Sequence, residues 1–286
     1  MTVTMKGSDV AAAMKERLQH EVAELGNQGV VPKAAIVRVG ARPDDLAYER
    51  GAMKRLEGVG IACQVFEFPE AISQQDFERG FAAVNDDPKI HGILLFRPLP
   101  KHLDEEAVKQ MINPLKDIDC MSAPNIAKVF SGDETGYAPC TAEAVVHVLD
   151  HYGLDLQGKR VTVVGRSMVV GKPLTMLLIK RNATVTVCHT RTKDLPGTCR
   201  GAEILVAAAG KAKMVTADFV ADGTVVIDVG INVDADGKLC GDVDYEAVAP
   251  KASHITPVPG GVGAVTSSVL ADHVVRAARY LHGSEA

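Results

Sequence analysis

The chain is expected to be an α/β protein of two domains, an N-terminal α/β substrate domain and a Rossmann-type, doubly wound nucleotide-binding domain. Three observations predict this. The 286 residues exceed the roughly 100 to 200 of an ordinary domain. Short apolar runs alternate with polar amphipathic stretches, the order of βαβ units and parallel sheets. Aromatic residues are only 4%, with no Trp, while Gly alone numbers 26, and Ala and Val are also plentiful, a mix that suits strands buried on both faces.

Each element follows from local pattern. Ser8 is placed to cap a first helix, whose stripe Val10, Met14, Leu18, Val22 and Leu25 has helical spacing and ends at Gly26. Strands are expected over 34–39, 61–68 and 90–96, with an amphipathic helix over 74–85 and another over 141–152. Around 153–159 a second domain begins, with strands over 161–164, 184–188, 204–208, 224–229 and 254–256. A helix over 174–179 follows the first of these, and the last helix, 267–281, could by its pattern as easily return to the first domain as stay with the second.

Composition narrows the function classes. Hydrophobic residues are 47% and charged residues 23%, and 31 basic against 36 acidic side chains leave a net charge of -5. Disordered and fibrous chains are excluded, and a nucleic-acid binder lacks its clustered Lys and Arg. No run reaches the roughly 18 apolar residues of a membrane span, and 1–6 does not read as a signal peptide. The six cysteines have no paired spacing and read as reduced thiols of a cytoplasmic protein. His147 and His151 share a helical zinc spacing, but no third ligand accompanies them, so no metal is expected.

The strand 161–164 runs directly into Gly165, Arg166, Ser167 and, further on, Gly171. Gly165 permits a tight turn, Gly171 close packing, and the following helix offers N–H groups and a positive dipole end to a pyrophosphate. The next strand ends in His189-Thr190-Arg191, where an NAD enzyme would carry an Asp or Glu. A hydroxyl and a guanidinium, with Arg166 nearby, suit the 2′-phosphate of NADP.

Segments 165–173, 228–232 and 256–263 resemble G-x-S-x-x-V-G-x-P, D-V-G-I-N and T-P-V-P-G-G-V-G, hallmarks of the methylenetetrahydrofolate dehydrogenase/cyclohydrolase family. Gly241-Asp242-Val243, Pro98-Leu99-Pro100 and Lys116-Asp117-Ile118-Asp119 agree. The resemblance implies oxidation of 5,10-methylenetetrahydrofolate with NADP and, in bifunctional members, hydrolysis of the methenyl product to 10-formyltetrahydrofolate. It also implies a homodimer and two α/β domains with a cleft between them, the last helix returning to the first, so that the expected domains are 1–145 with 268–286, and 146–267. On this pattern Gly165, Arg166, Ser167 and Thr190 hold the NADP phosphates and ribose, Ile231 lies beside the nicotinamide, and Arg191 is an auxiliary cation. Val170, Gly171 and Gly210 complete the expected cofactor set. Tyr48 and Asp119 are the expected catalytic residues. Tyr48, Phe96, Arg97, Asp119, Pro259, Gly260 and Gly263 are expected to bind the tetrahydrofolate-type substrate.

The match breaks on the folate side. The family's Tyr is followed four residues later by a catalytic Lys, and here Tyr48 is followed by Ala52. Lys54 is turned by roughly 200° at about 100° per residue on a helix, so it should point away. Phe96 stands where the family carries a Gln, and an apolar ring has neither donor nor acceptor. Asp45, Arg97, Cys120, Ala264 and Val265 are further departures. Hydride transfer chiefly needs positioning, whereas hydrolysis needs an activated water and proton management. A dehydrogenase with weak or absent cyclohydrolase is therefore expected. The alternatives are a bifunctional enzyme and a folate- or nucleotide-binding protein without turnover.

Overall fold

A computed structural model of the chain describes residues 2–283; Met1 and residues 284–286, at the ends of the expected first domain, lie outside the described residues. The chain opens with β1 (Val3–Thr4), α1 (Gly7–Asn27), β2 (Lys33–Val39), α2 (Pro43–Glu57), β3 (Ala62–Phe68), α3 (Gln74–Asp86) and β4 (Gly92–Leu95). Helices α4 (Glu105–Met111), α5 (Ala123–Ser131) and α6 (Cys140–His151) follow. Then come β5 (Arg160–Val164), α7 (Gly171–Lys180), β6 (Thr184–Cys188), α8 (Leu195–Arg200), β7 (Ile204–Ala207) and β8 (Val225–Asp228). The chain closes with β9 (Asn232–Val233), β10 (Leu239–Cys240), α9 (Tyr245–Val248), β11 (His254–Ile255) and α10 (Gly263–Leu281).

Two compact units result, one of residues 1–12 and 141–266, the other of 13–140 and 267–286. The division differs from the expected boundaries at the N-terminus. The reason is β1, whose Val3 and Thr4 pair in parallel with His254 and Ile255 of β11. The expected cap is also corrected. Helix α1 starts at Gly7, one residue before Ser8, and the Ser8 hydroxyl donates to Asp9 Oδ1 at 3.1 Å. Gly7 donates its N–H to Gly260 O at 2.8 Å, and a Cβ there would stand 2.0 Å from Gly261 O. Close backbone approach, not capping, sets that start.

The unit of 13–140 and 267–286 holds a three-stranded parallel sheet, β3-β2-β4. Val37, Ile93 and Leu95 on its strands meet Phe77, Phe81 and Val84 of α3, all buried. The spacing of those α3 residues keeps them on one face, and each buried phenylalanine contributes about 1.5–3 kcal/mol. Ser73 caps α3 by accepting from Asp76 N at 3.1 Å.

The other unit is built on a six-stranded sheet, β1-β11-β8-β7-β5-β6, with all neighbours parallel. Val164, Leu205, Val226 and Ile255 pack its core with Phe219 and Val248. After β5 the chain goes to β6 on one side and then to β7 on the other, so the strand order reverses at β5. In doubly wound sheets, ligands bind beyond the carboxyl end of such a strand. The antiparallel pair β9–β10 stands apart from this sheet.

Candidate functional site

Val164 ends β5 and Gly165 turns the chain with φ +143, its N–H donating to Cys188 O at 2.9 Å. A Cβ on Gly165 would lie 2.2 Å from Ala208 O, and one on Gly171 would lie 2.2 Å from Gly165 O. Neither position has room for a side chain, so the turn presses against the start of α7. Ser167 shapes the loop, its hydroxyl accepting from Val170 N at 3.1 Å and its carbonyl from Lys172 N at 3.0 Å. Helix α7 starts earlier than expected, at Gly171, and Val170 at its N-cap gives no side-chain cap bond. Arg166, Thr190 and Arg191 are exposed, at the carboxyl ends of β5 and β6. Those residues fit the dianionic 2′-phosphate of an NADP group, and the Gly165–Gly171 cradle fits its pyrophosphate.

Gly210 follows β7 with φ +66, and the N–H groups of Ala209, Gly210 and Lys211 all donate to Asp242, at 2.6, 2.9 and 2.8 Å. Asp242 also accepts from Asn232 Nδ2 at 2.9 Å. Its neighbour Asp228 accepts from the N–H groups of Gly230, Asp242 and Val243 at 3.0, 3.0 and 2.9 Å. Burial pushes Asp228 up to about 6, and the Asp242 charge adds to the effect against the pull of those three N–H groups. The two acids thus organise the loops that carry Gly210 and Ile231. The motif match flagged their segments but not this division of labour, which depends on partners far apart in sequence.

Ile231 is 71% exposed. It lines a cavity of about 290 Å3 together with Asp228, Leu239, Pro259, Gly260 and Gly263. Pro259, Gly260 and Gly263, expected on the substrate side, are thereby grouped with Ile231. A Cβ on Gly263 would already touch the Ile231 side chain at 3.6 Å.

In the three-stranded unit, α2 carries Tyr48 and Ala52 one turn apart. Arg38 on β2 is buried and pins this helix through Glu49 at 2.8 Å, also binding Glu67 at 2.9 Å. Ala52 is 1% exposed, whereas Lys54 is on the open side of the helix. Phe96, directly after β4, is buried and donates its N–H to Val37 O at 2.9 Å. Its ring lies against Tyr48 with centroids 5.6 Å apart. The Tyr48 phenol is pushed up by burial at its hydroxyl end and by the charges of Asp119 and Cys140, although 43% of the residue is open to solvent.

Asp119 follows a structural run. Lys116 donates to Asn85 O and Asp87 O at 2.7 and 2.8 Å, and Asp117 accepts from Met121 N and Ser122 N at 2.9 Å each. Asp119 Oδ1 accepts from Cys140 N at 3.1 Å. Burial pushes its carboxyl up, opposed by the Cys140 N–H and thiol and by Arg97, while Asp117 pushes the same way as burial. Tyr48, Phe96, Arg97, Asp119 and Cys140 therefore form one cluster. Cys140, at the N-terminus of α6, is the member that the sequence motifs did not single out as functional. Among the described residues no group of three or more His, Cys, Asp or Glu side chains could hold a metal ion.

A doubly wound nucleotide fold with a glycine-bounded phosphate turn, joined in one chain to a second α/β unit bearing an aromatic and carboxylate cluster, defines a dinucleotide-dependent enzyme class. Residues 5–119 match the catalytic domain of tetrahydrofolate dehydrogenase/cyclohydrolase, and residues 139–282 match its NAD(P)-binding domain. The chain belongs to the tetrahydrofolate dehydrogenase/cyclohydrolase family. It is 57% identical over 275 residues, 96% of each chain, to the bifunctional protein FolD of Clostridioides difficile (strain 630). The crystal structure of the bifunctional enzyme FolD, methylenetetrahydrofolate dehydrogenase/cyclohydrolase, from Campylobacter jejuni matches with TM-score 0.95 and 36% identity, covering 98% of this chain and 99% of that one. The methylenetetrahydrofolate dehydrogenase-cyclohydrolase (FolD) of Trypanosoma brucei, complexed with NADP cofactor and inhibitor, matches with TM-score 0.91 and 34% identity, covering 98% of each chain.

Proposed function

We propose that this protein catalyses the NADP-dependent oxidation of 5,10-methylenetetrahydrofolate to 5,10-methenyltetrahydrofolate, with weak or absent cyclohydrolase activity. The observation that carries the second half is the apolar pair Ala52 and Phe96, 1% and 6% exposed, beside Tyr48. Neither supplies an ammonium or an amide. NADP, when bound, supplies the two-electron acceptor. Gly165, Arg166, Ser167, Val170 and Gly171 bind its phosphates, Thr190 and Arg191 its 2′-phosphate, and Gly210 and Ile231 complete its site. Tyr48 and Phe96 offer aromatic surface to the folate, Asp119 accepts hydrogen bonds from its amino-pyrimidine edge, and Arg97 supports that cluster. Pro259, Gly260 and Gly263 offer backbone to a flat ligand. Positioning is the main demand of this oxidation, because the folate nitrogen stabilises the cation that forms.

A second reading keeps both activities, and the bifunctional name of the 57% identical relative favours it. In that reading Tyr48 and Asp119, both with raised pKa, manage the protons of the attacking water. Purified protein decides between the readings. NADPH formation from methylenetetrahydrofolate, with methenyl loss no faster than in buffer, supports the first. Methenyl loss well above buffer, abolished in Tyr48→Phe or Asp119→Asn, supports the second. Binding without NADPH formation overturns both.

The same reading includes a cytoplasmic homodimer. The edge strand β6 supports the dimer, since Val187 is 39% exposed there and Ile179 on neighbouring α7 is 50% exposed. An exposed edge of this kind is a pairing surface. The six cysteines are thiols, which suits a reducing compartment. No helix of the described residues is long and apolar enough to cross a membrane.

A further inference from the structure

The end of β6 leads into a closed turn, His189-Thr190-Arg191-Thr192. Thr192 donates its N–H to His189 O at 2.9 Å, which puts Thr190 and Arg191 at the two central positions. Two side chains lock the same four residues. Thr192 Oγ1 accepts from His189 N at 2.9 Å, and His189 Nδ1 accepts from Arg191 N at 3.2 Å. In the second bond the N–H two residues on donates to a ring nitrogen, as it would to the side-chain oxygen of an Asx-turn. Because Nδ1 accepts, the neutral ring carries its proton on Nε2.

The place of the turn in the fold gives it a task. Cys188, the residue before it, pairs in register with Val164 of β5 and accepts the Gly165 N–H at 2.9 Å. The turn therefore stands directly beside the phosphate turn that carries Arg166. Thr190 and Arg191 are exposed, whereas His189 is half-buried. Among the described residues no acid pairs with Arg166 or Arg191, so both guanidinium groups are open to a phosphate dianion. A cation on a long stem serves a ligand well only where its backbone is fixed beforehand, because ordering a loop on binding costs affinity.

We propose that His189 is a positioning residue for cofactor selectivity: by accepting the Arg191 N–H at Nδ1, it holds the turn in the shape that offers Thr190 and Arg191 to the 2′-phosphate of NADP. This rests on the NADP-dependent reading above and goes beyond it, since His189 acts without touching the cofactor. The role needs an acceptor at the Nδ1 position, not an imidazole as such. Asparagine meets that need through Oδ1. Leucine has no acceptor, and glutamine carries its amide one atom further out, near the Nε2 position.

Calorimetric titration of the full-length protein with NADP, NAD and adenosine 2′,5′-bisphosphate tests this without turnover. His189→Leu should weaken NADP and adenosine 2′,5′-bisphosphate by about tenfold each, and NAD, which lacks the 2′-phosphate, by less than about twofold. His189→Gln should match leucine, and it decides the matter if the leucine variant does not fold. His189→Asn should keep NADP within about threefold of the wild type. With Arg191→Ala already in place, His189→Leu should cost far less than about tenfold, because the two residues act through one contact. The proposal is overturned by NADP and NAD weakened alike in the leucine or glutamine variant. An asparagine variant no better than those two, or losses that add with Arg191→Ala, overturns it as well. Wild-type protein that binds NADP but forms no NADPH overturns the dehydrogenase reading alone, and the titrations still decide whether His189 sets the selectivity.

Discussion

Tyr48 and Phe96 lie with ring centroids 5.6 Å apart and planes tilted by 49°. Tilted aromatic pairs of this spacing gain about 0.5–1.5 kcal/mol beyond their area burial. The pair sits one helical turn from Ala52, so the floor beside Tyr48 is apolar where proton chemistry would require polar groups. On the proposed dehydrogenase reading, strengthening hydrolysis takes two changes, not one. Ala52→Lys alone places an ammonium at a site 1% exposed without an amide to receive it, which should lower the melting temperature and add little hydrolysis. Ala52→Lys with Phe96→Gln should raise methenyl hydrolysis by about a hundredfold, within the range of general acid–base assistance. Methenyl disappearance in the wild type, both singles and the double gives the coupling directly, and additive effects would refute it.

Cofactor choice should reside in side chains that no other part of the protein uses for folding. Arg166 and Arg191 are exposed, so their removal should leave stability nearly unchanged. Arg191→Ala and Arg166→Ala should each lower kcat/KM with NADP by about ten- to a hundredfold, about 1.4–2.7 kcal/mol of charge-assisted bonding. With NAD, which lacks the 2′-phosphate, the same variants should change by less than about threefold. Parallel steady-state assays with the two cofactors check this.

The local devices were legible in the sequence and the long-range ones were not. Gly165 and Gly171 are recognisable because a steric requirement at a strand–helix turn leaves glycine as its trace. The outward direction of Lys54 follows from helix geometry alone. By contrast, α1 starts at Gly7 because of backbone contacts with Gly260 and Gly261, more than 250 residues away. Strand β1 exists only because β11 offers an edge, and two residues have too little pattern to announce a strand. The loop-holding roles of Asp228 and Asp242 arise from three-dimensional proximity that no spacing rule encodes.

Asp228 makes the six-stranded unit more tolerant of acid. Its pKa is about 6 in the folded protein against 3.8 for the free side chain, so between those values the folded state holds the proton more tightly than the unfolded state does. The stabilisation is present at low pH and is lost as pH rises through about 6. The difference between the two pKa values corresponds to about 3 kcal/mol. Asp228→Asn should flatten that slope. It should also destabilise the protein at neutral pH by about 1–3 kcal/mol, because one amide oxygen replaces two carboxylate oxygens that accept three N–H bonds. Denaturant unfolding between pH 4 and 7 reads both effects.

His91 gives the three-stranded unit the opposite response. Lys33 donates its N–H to His91 Nδ1 at 3.1 Å, so the neutral ring carries its proton on Nε2, which faces His282 Nε2 at 3.0 Å. A second proton on His91 would meet the Lys33 N–H, and Nδ1 would lose its acceptor role. Burial, His282 and Lys116 push His91 down from 6.5 to about 4. A base lowered on folding binds fewer protons folded than unfolded within that window, so its stabilisation is full above about 6.5 and is lost as pH falls towards 4. The magnitude is again about 3 kcal/mol, opposite in sign to that of Asp228. Hydrogen exchange read by mass spectrometry at pH 5 and 7 should therefore show peptides of β2 and β4 losing protection on acidification while those of β8 gain it. His91→Asn keeps an acceptor for the Lys33 N–H and cannot take up a proton. It should abolish the acid-induced loss in β2 and β4 and leave β8 unchanged, and a persistent loss in that variant would assign the acid sensitivity to another group.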